Sequence, residues 1–177
     1  LQKEDSEDSR RLRAELFRVE QYVQMVLCFL RLDSDFTDYV IKEYRVDDII
    51  RPAVRRLAPQ FIMKKLALEY EHTDEVALTD EKWLGFVVEQ VLSNAVKYTS
   101  SGSISIKCDG DRLVISDTGI GIAAEDLPRI FDKGYTGFNG RADRKASGIG
   151  LYLCRRICDK LGHSIRAESV AGQGTTI

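Results

Sequence analysis
The chain has 177 residues, 44% of them hydrophobic, and a formal net charge of −2. That composition can bury a core and fits one compact domain plus an appendage. The near-balanced charge argues against a nucleic-acid binder driven by bulk electrostatics. No apolar run approaches membrane-spanning length, and no signal-peptide pattern opens the chain. It starts mid-charge, at Leu1-Gln-Lys-Glu-Asp5, so the expectation is a segment of a longer protein.

Residues 1–32 are predicted as one helix. Its apolar positions Leu12, Leu16, Val19, Val23, Val26 and Leu30 are spaced alternately four and three apart, a heptad seam. Acidic residues crowd its start and Arg31 sits near its end, as the helix dipole prefers. A lone helix cannot bury such a seam. It is expected to pair with another helix, from a second copy or from a preceding segment; the competing reading folds it back on its own domain. Residues 33–36 then form a hinge. The loose alternation over 38–45 suggests a strand. Asp47 is expected to cap a helix to about Met63, with Ile50, Val54, Leu57 and Phe61 as its buried stripe. Pro52 would fall within its first turns, and Pro59 would distort its last.

Leu66–Tyr70 and Glu75–Thr79 are short strands around the polar turn His72-Thr-Asp74. Asp80 caps a helix over 81–98. Ser103–Cys108 and Arg112–Ser116 form a hairpin across Asp109-Gly110. A short helix spans 124–130. Residues 132–146 are rich in Gly, Lys, Arg and Asp without apolar periodicity and read as a mobile loop. A last helix covers 148–161 and ends at Gly162; His163–Val170 and Thr175–Ile177 close as a hairpin across Ala171–Gly174. The predicted fold class is α/β. It is a two-layer sandwich, with a mixed, largely antiparallel sheet covered by three helices on one face, preceded by the long coiled-coil helix. Of the four cysteines, Cys154 and Cys158 share a helix face. A zinc site would need two more ligands, with His163 the only one nearby, so the favoured reading for all four is reduced thiols.

Helix 81–98 is mostly apolar, through Trp83, Leu84, Val87, Val88, Val91, Leu92 and Ala95. Gln90, Asn94 and Lys97 form a polar stripe along one face. Burying unpartnered polar groups is costly, so the stripe suggests a ligand; a solvated helix edge is the bland alternative. Mg²⁺ takes oxygen ligands and shares them with nucleotide phosphates. Asn94 offers an amide oxygen and Lys97 a positive charge. Asp117 ends a strand beside Thr118-Gly-Ile-Gly121, where a carboxylate can accept from an exocyclic amine and glycines let the backbone approach a base. Turns favour the same residues. Ser147-Gly-Ile-Gly150 opens a helix, a favourable place for phosphate. Lys133, Arg141, Arg144 and Lys145 in the preceding loop are candidates to close over phosphates, or merely solvated.

Four segments in order carry a family resemblance: Glu89–Thr99, Asp117–Ile122, Ile130–Tyr135 and Ser147–Leu151. They resemble the N, G1, F and G2 boxes of sensor histidine kinases, in the wider superfamily of Bergerat-fold (GHKL) ATPases, and Gly172–Ile177 looks like that family's closing strand. The resemblance covers roughly residues 80–177. Leu30–Ser34, Asp38–Ile41 and Asp80–Phe86 look like a narrower group, the small membrane-anchored kinases that work with peptide-antibiotic export transporters. The resemblance implies that residues 1–34 are the second helix of a dimerisation hairpin and residues 35–177 an ATP-binding catalytic domain. It implies Mg²⁺ at Asn94 and Gln90, and phosphate contact and catalysis through Asn94 and Lys97. Tyr98, Asp117, Gly119, Gly121, Ile122 and Thr175 would surround the base. Phe131 and Lys133 would belong to the lid, and Ser147, Gly148, Ile149, Gly150 and Leu151 would receive phosphates. The implied partners are ATP, a response-regulator receiver domain, a second copy through residues 1–32 and a transporter, in the cytoplasmic part of a membrane-anchored bacterial protein.

Two departures matter. His72 and His163 both lack the family's phosphoacceptor context, so the acceptor histidine is expected outside this chain. Gln90 stands where many members carry asparagine. An ATP hydrolase of the same superfamily would carry a glutamate one turn before the metal asparagine; Gln90 occupies that place and cannot take a proton, while Glu89 points about 100° away. A nucleotide-responsive interaction module and a serine kinase acting on an anti-sigma partner are further alternatives. The pocket residues argue against the first and the heptad helix against the second.

Overall fold
The computed structural model describes residues 7–32, 39–137 and 147–177. The chain divides into two compact units, Leu1–Thr37 and Asp38–Ile177. The first holds α1 (Glu7–Leu32), with Arg31 in its last turn. The predicted seam lies in the open: Leu12, Leu16, Val19, Val23, Val26 and Leu30 are each at least half exposed. The predicted hinge lies outside the described residues.

The second unit begins with β1 (Lys42–Arg45), shorter than the strand expected over 38–45. Next comes α2 (Val46–Lys64), which buries Val46, Ile49, Ile50, Ala53, Leu57 and Phe61. Asp47 is not its cap. The helix starts one residue earlier, without a side-chain cap, and Asp47 sits buried in the first turn. Pro52 and Pro59 both lie inside α2. Each removes a hydrogen bond to the carbonyl four residues back. The prolines and those residues, Asp48 and Arg55, are all exposed, so water can serve the freed carbonyls. The left-handed Lys65 (φ 55°) ends the helix, and Lys65 and Leu66 return their amides to Ile62 and Phe61.

The strands β2 (Ala67–Tyr70) and β3 (Val76–Thr79) do not pair across the turn between them. β3 pairs antiparallel with β1 as a two-stranded ribbon, whereas β2 runs parallel to β4 (Ser103–Asp109). The main sheet has five strands in the order β2-β4-β5-β7-β6, with β5 Arg112–Asp117, β6 Glu168–Val170 and β7 Gly174–Thr176. The β4–β5 hairpin turns one residue beyond the expected Asp109-Gly110: Asp109 pairs with Arg112 in the ladder, and Gly110 (φ 59°) takes the first of the two turn positions, where a positive φ favours glycine. Between α2 and α4 (Gly150–Leu161) lies α3 (Glu81–Tyr98), packed on both and touching β5. Val88, Leu92 and Val96 of α3 meet the core that Ile104, Ile106, Leu153 and Ile157 complete, all nearly inaccessible. Each such side chain contributes roughly 1.5–3 kcal/mol. The expected helix over 124–130 is a single 3-10 turn, Leu127–Arg129, with Pro128 inside it. Gly162 ends α4 with φ 74°.

Candidate functional site
The site gathers around the C-terminal half of α3. The sequence sets the helix in place at both ends. Asp80 accepts from the amides of Lys82 (2.9 Å) and Trp83 (3.1 Å), the expected cap. At the other end, Lys64 reaches across from α2. Its Nζ donates to the carbonyls of Val96 (2.5 Å), Lys97 (3.0 Å) and Thr99 (3.0 Å). A cation there complements the helix dipole, although burial lowers the Lys64 pKa. The sequence reading missed Lys64, since nothing local ties residue 64 to residues 96–99.

Along α3, Gln90 is buried, Asn94 and Tyr98 half-buried and Lys97 exposed, its Nζ 4.9 Å from the centre of the Tyr98 ring. Two other segments close on this face. The first residue of α4 comes against Gln90: a Cβ on Gly150 would stand 2.9 Å from Gln90 Oε1. The loop after β5 comes against the helix end: a Cβ on Gly119 would stand 2.5 Å from the Tyr98 carbonyl. Asn94 lies one turn from each contact. The structure therefore brings Gln90, Asn94, Tyr98, Gly119 and Gly150 together along one side of α3, with Asp117 bonded to Gly119.

Asp117 is half-buried at the end of β5, with Thr175 beside it in register on β7. Its Oδ1 accepts from the Gly119 amide at 2.8 Å. Burial raises its pKa; the Gly119 and Thr175 amides and the nearby Thr99 hydroxyl oppose that rise. Gly121 (φ 64°) lies so close to the β6–β7 turn that a Cβ would stand 2.1 Å from the Val170 carbonyl. The loop is stitched down by Ile120 N to Tyr98 O (3.2 Å), Gly172 N to Ile120 O (2.8 Å) and Ile122 N to Ser169 Oγ (2.8 Å).

The start of α4 differs from that of α3. Among the described residues no side chain caps it, and its first intrahelical bond is Leu153 N to Ile149 O. Among the described residues the amides of Gly150, Leu151 and Tyr152 have no backbone partner, an arrangement that can receive an anion. Ser147 Oγ takes the Ile149 amide at 3.3 Å. Gly148 (φ 65°) packs on Gly134, whose amide donates to the Gly148 carbonyl at 2.9 Å. This clasp joins the third predicted segment to the fourth. Phe131 is buried and, with exposed Lys133, lines a surface cleft beside Tyr152, Arg155 and Asp159. Arg141, Arg144 and Lys145 lie outside the described residues. The hydroxyl of Tyr135 donates to the buried carboxylate of Asp126 at 2.5 Å, an anchor absent from the sequence reading.

The other histidines and thiols have structural surroundings. His163 Nε2 bonds Thr79 Oγ1 at 3.0 Å. Cys154 and Cys158 are buried and in no disulfide, and burial pushes the Cys158 thiol up to about 11. Glu89 forms an ion pair with Arg56 of α2, Arg56 Nε standing 3.2 Å from Glu89 Oε1.

Residues 79–177 match the family described as histidine kinase-, DNA gyrase B-, and HSP90-like ATPase. The chain belongs to that family of ATPases. Within it, the curated relatives that align along the chain are sensor kinases. The sensor histidine kinase YxdK of Bacillus subtilis is 33% identical over 184 residues, covering 100% of this chain and 57% of the relative. The sensor protein BceS of Halalkalibacterium halodurans is 35% identical over 179 residues, covering 98% of this chain and 53% of the relative. The chain thus spans little more than half the length of each. Among solved structures, full-length ShkA in complex with AMPPNP superposes with a TM-score of 0.72 at 20% identity, over 98% of this chain and 38% of that one.

Proposed function
We propose that this chain is the ATP-binding catalytic portion of a sensor histidine kinase in two-component signalling. It transfers the γ-phosphoryl group of ATP to a histidine on a dimerisation helix outside residues 1–177. The bond from the γ-phosphorus to the bridging oxygen breaks, a phosphorus–nitrogen bond forms, and ADP leaves. Phosphate then passes to an aspartate of a response-regulator receiver domain. The observation that carries this reading over hydrolysis is the pairing of Glu89 with Arg56 on α2. The one carboxylate near the metal asparagine in sequence is held by another helix, and Gln90 cannot act as a base for water.

The pocket fits the nucleotide. Asp117 accepts the exocyclic amine of the base, with Tyr98, Gly119, Gly121, Ile122 and Thr175 around it. The uncapped start of α4, with Ser147–Leu151, receives phosphate. Gln90 and Asn94 offer neutral amide oxygens, a donor set that suits Mg²⁺ shared with phosphates and water. That ion would neutralise phosphate charge. The remaining work of the chain is positioning and charge stabilisation, with Lys97 facing phosphate and Phe131 and Lys133 serving the lid. Residues 1–34 supply the second helix of the dimerisation hairpin and residues 35–177 the catalytic domain. The exposed seam of α1 supports a homodimer. Among the described residues no helix is long and apolar enough to cross a membrane. Anchoring, the cytoplasmic setting and a peptide-antibiotic transporter partner are carried over from the narrower kinase group.

The test supplies a histidine-bearing dimerisation hairpin in trans with radiolabelled ATP and Mg²⁺. The parent labels the hairpin, and Asn94→Ala does not. Label transfer retained by the variant, or strong steady ATP hydrolysis without the hairpin, overturns the proposal.

A further inference from the structure
Thr99 follows the last residue of α3 and is fully buried. Lys64 holds its carbonyl. Its hydroxyl is well aligned with no hydrogen-bond partner among the described residues, and the one group it bears on there, imperfectly, is the Asp117 carboxylate. Buried polar atoms are rarely left so, because an unmade bond is costly. The hydroxyl lies beside the base-reading carboxylate. A Cβ on Gly119 would stand 2.9 Å from Thr99 Oγ1 and 2.8 Å from Asp117 Oδ1, so both oxygens border one small space.

Counting protons separates Thr99 from the other hydroxyls nearby. Ser169 Oγ donates its one proton to the Gly174 carbonyl at 2.7 Å. It must therefore accept in its 3.0 Å bond with Thr175, as it does from the Ile122 amide. The Thr175 proton is thus committed to Ser169. The carboxylate of Asp117 receives the amides of Gly119 and Thr175. Thr99 is the neighbouring hydroxyl that still has a proton to give.

We propose that Thr99 is a positioning residue for base recognition. Its hydroxyl, already beside Asp117, closes into a well-aligned hydrogen bond when nucleotide binds and holds the carboxylate as an ionised acceptor for the exocyclic amine. The inference rests on the reading of Asp117 given above. Asp117 is otherwise pressed to protonate: burial raises its pKa, and a base filling the pocket removes more water. The groups opposing protonation are uncharged: the Gly119 amide of its own loop, the Thr175 amide of β7 and the Thr99 hydroxyl at the end of α3. A protonated Asp117 would turn an O–H toward the amine and lose acceptor capacity.

The test is ATP binding by calorimetry across pH, for the parent chain, Thr99→Val and Thr99→Ser. Valine keeps the shape without the hydroxyl; serine keeps the hydroxyl. The titration of ATP itself is common to all three, so differences between the curves belong to the protein. The acid limb of the valine variant is expected to move up by about half to one pH unit. Serine should stay on the parent curve, and the melting temperature of the valine variant should not fall. Weakening that is equal at every pH, with a lowered melting temperature, would mean a merely structural Thr99 and overturn the inference. Coincident parent and valine curves would overturn it and leave the pocket reading standing. Absence of ATP binding by the parent would overturn the pocket reading itself.

Discussion
Two aspartates in the α/β unit show opposite uses of a carboxylate. Asp47, in the first turn of α2, is almost inaccessible and richly served. The Tyr70 hydroxyl donates to it, His72 Nδ1 stands 3.3 Å away, and Arg51 pairs with it at 2.5 Å. Burial pushes its pKa up, but the hydrogen bonds from Tyr70 and His72 and the charge of Arg51 prevail and hold it below the usual range. Asp117 is more open and less well served, and burial wins. One carboxylate ties α2 to β2 and the segment after it. The other is kept under-supplied beside a cluster of glycines, where a ligand can complete its partners. Perturbation in the raised direction, next to space, agrees with the base-reading role proposed for Asp117.

Removing each carboxylate should separate the two uses. Asp47→Asn leaves Arg51 without its partner charge and should cost about 2–4 kcal/mol, read as a shifted urea midpoint. The same variant checks the sign of the pH dependence. Because the folded pKa of Asp47 is depressed, its stabilisation is full above the unfolded value of about 3.9 and is lost as pH falls through the folded value. The variant should therefore lose less stability than the parent below about pH 4. A parallel acid limb in the two proteins would show that Asp47 is not the group responsible.

Asp117→Asn should act on binding instead, weakening ATP by about tenfold to a hundredfold, the worth of one charge-assisted hydrogen bond. Its stability should stay within about 0.5 kcal/mol of the parent or rise, since a raised folded pKa means that the ionised form is costly in the fold at neutral pH. A large loss of stability with unchanged ATP affinity would place Asp117 in the same class as Asp47. Lys64→Met gives the smallest effect and stands between the two. Loss of the cap on α3 should cost about 1 kcal/mol, given partial solvent exposure, with a few-fold weaker ATP binding. Stability lost without any change in affinity would leave Lys64 a structural tie alone.

The sequence made the local features legible. The Asp80 cap, the β4–β5 hairpin to within one residue of its turn, the end of α4 at Gly162 and the polar stripe of α3 follow from rules that act over a few residues. Pairing across the chain was not legible. β2 and β3 flank a polar turn, yet join different sheets, because β2 finds β4 and β3 finds β1. Asp47 has the spacing of a cap, but its partners Tyr70 and His72 lie more than twenty residues away and draw it into the interior. Thr99 and Lys64 escaped for the same reason. Their meaning comes from Asp117 and from the end of α3, which only the folded chain brings to them. The fold sets Asp117 beside Gly119 and Thr175, and Lys133 and Phe131 beside Tyr152 and Arg155, neighbours that no local rule names.

The bond between Gly134 and Gly148 has an architectural consequence. It draws the two ends of the connection from the 3-10 turn to α4 into a closed neck. Lengthening or shortening the stretch between them changes mainly a loop-closure entropy that grows slowly with size. Such changes put little covalent tension on Gln90 or Asp117.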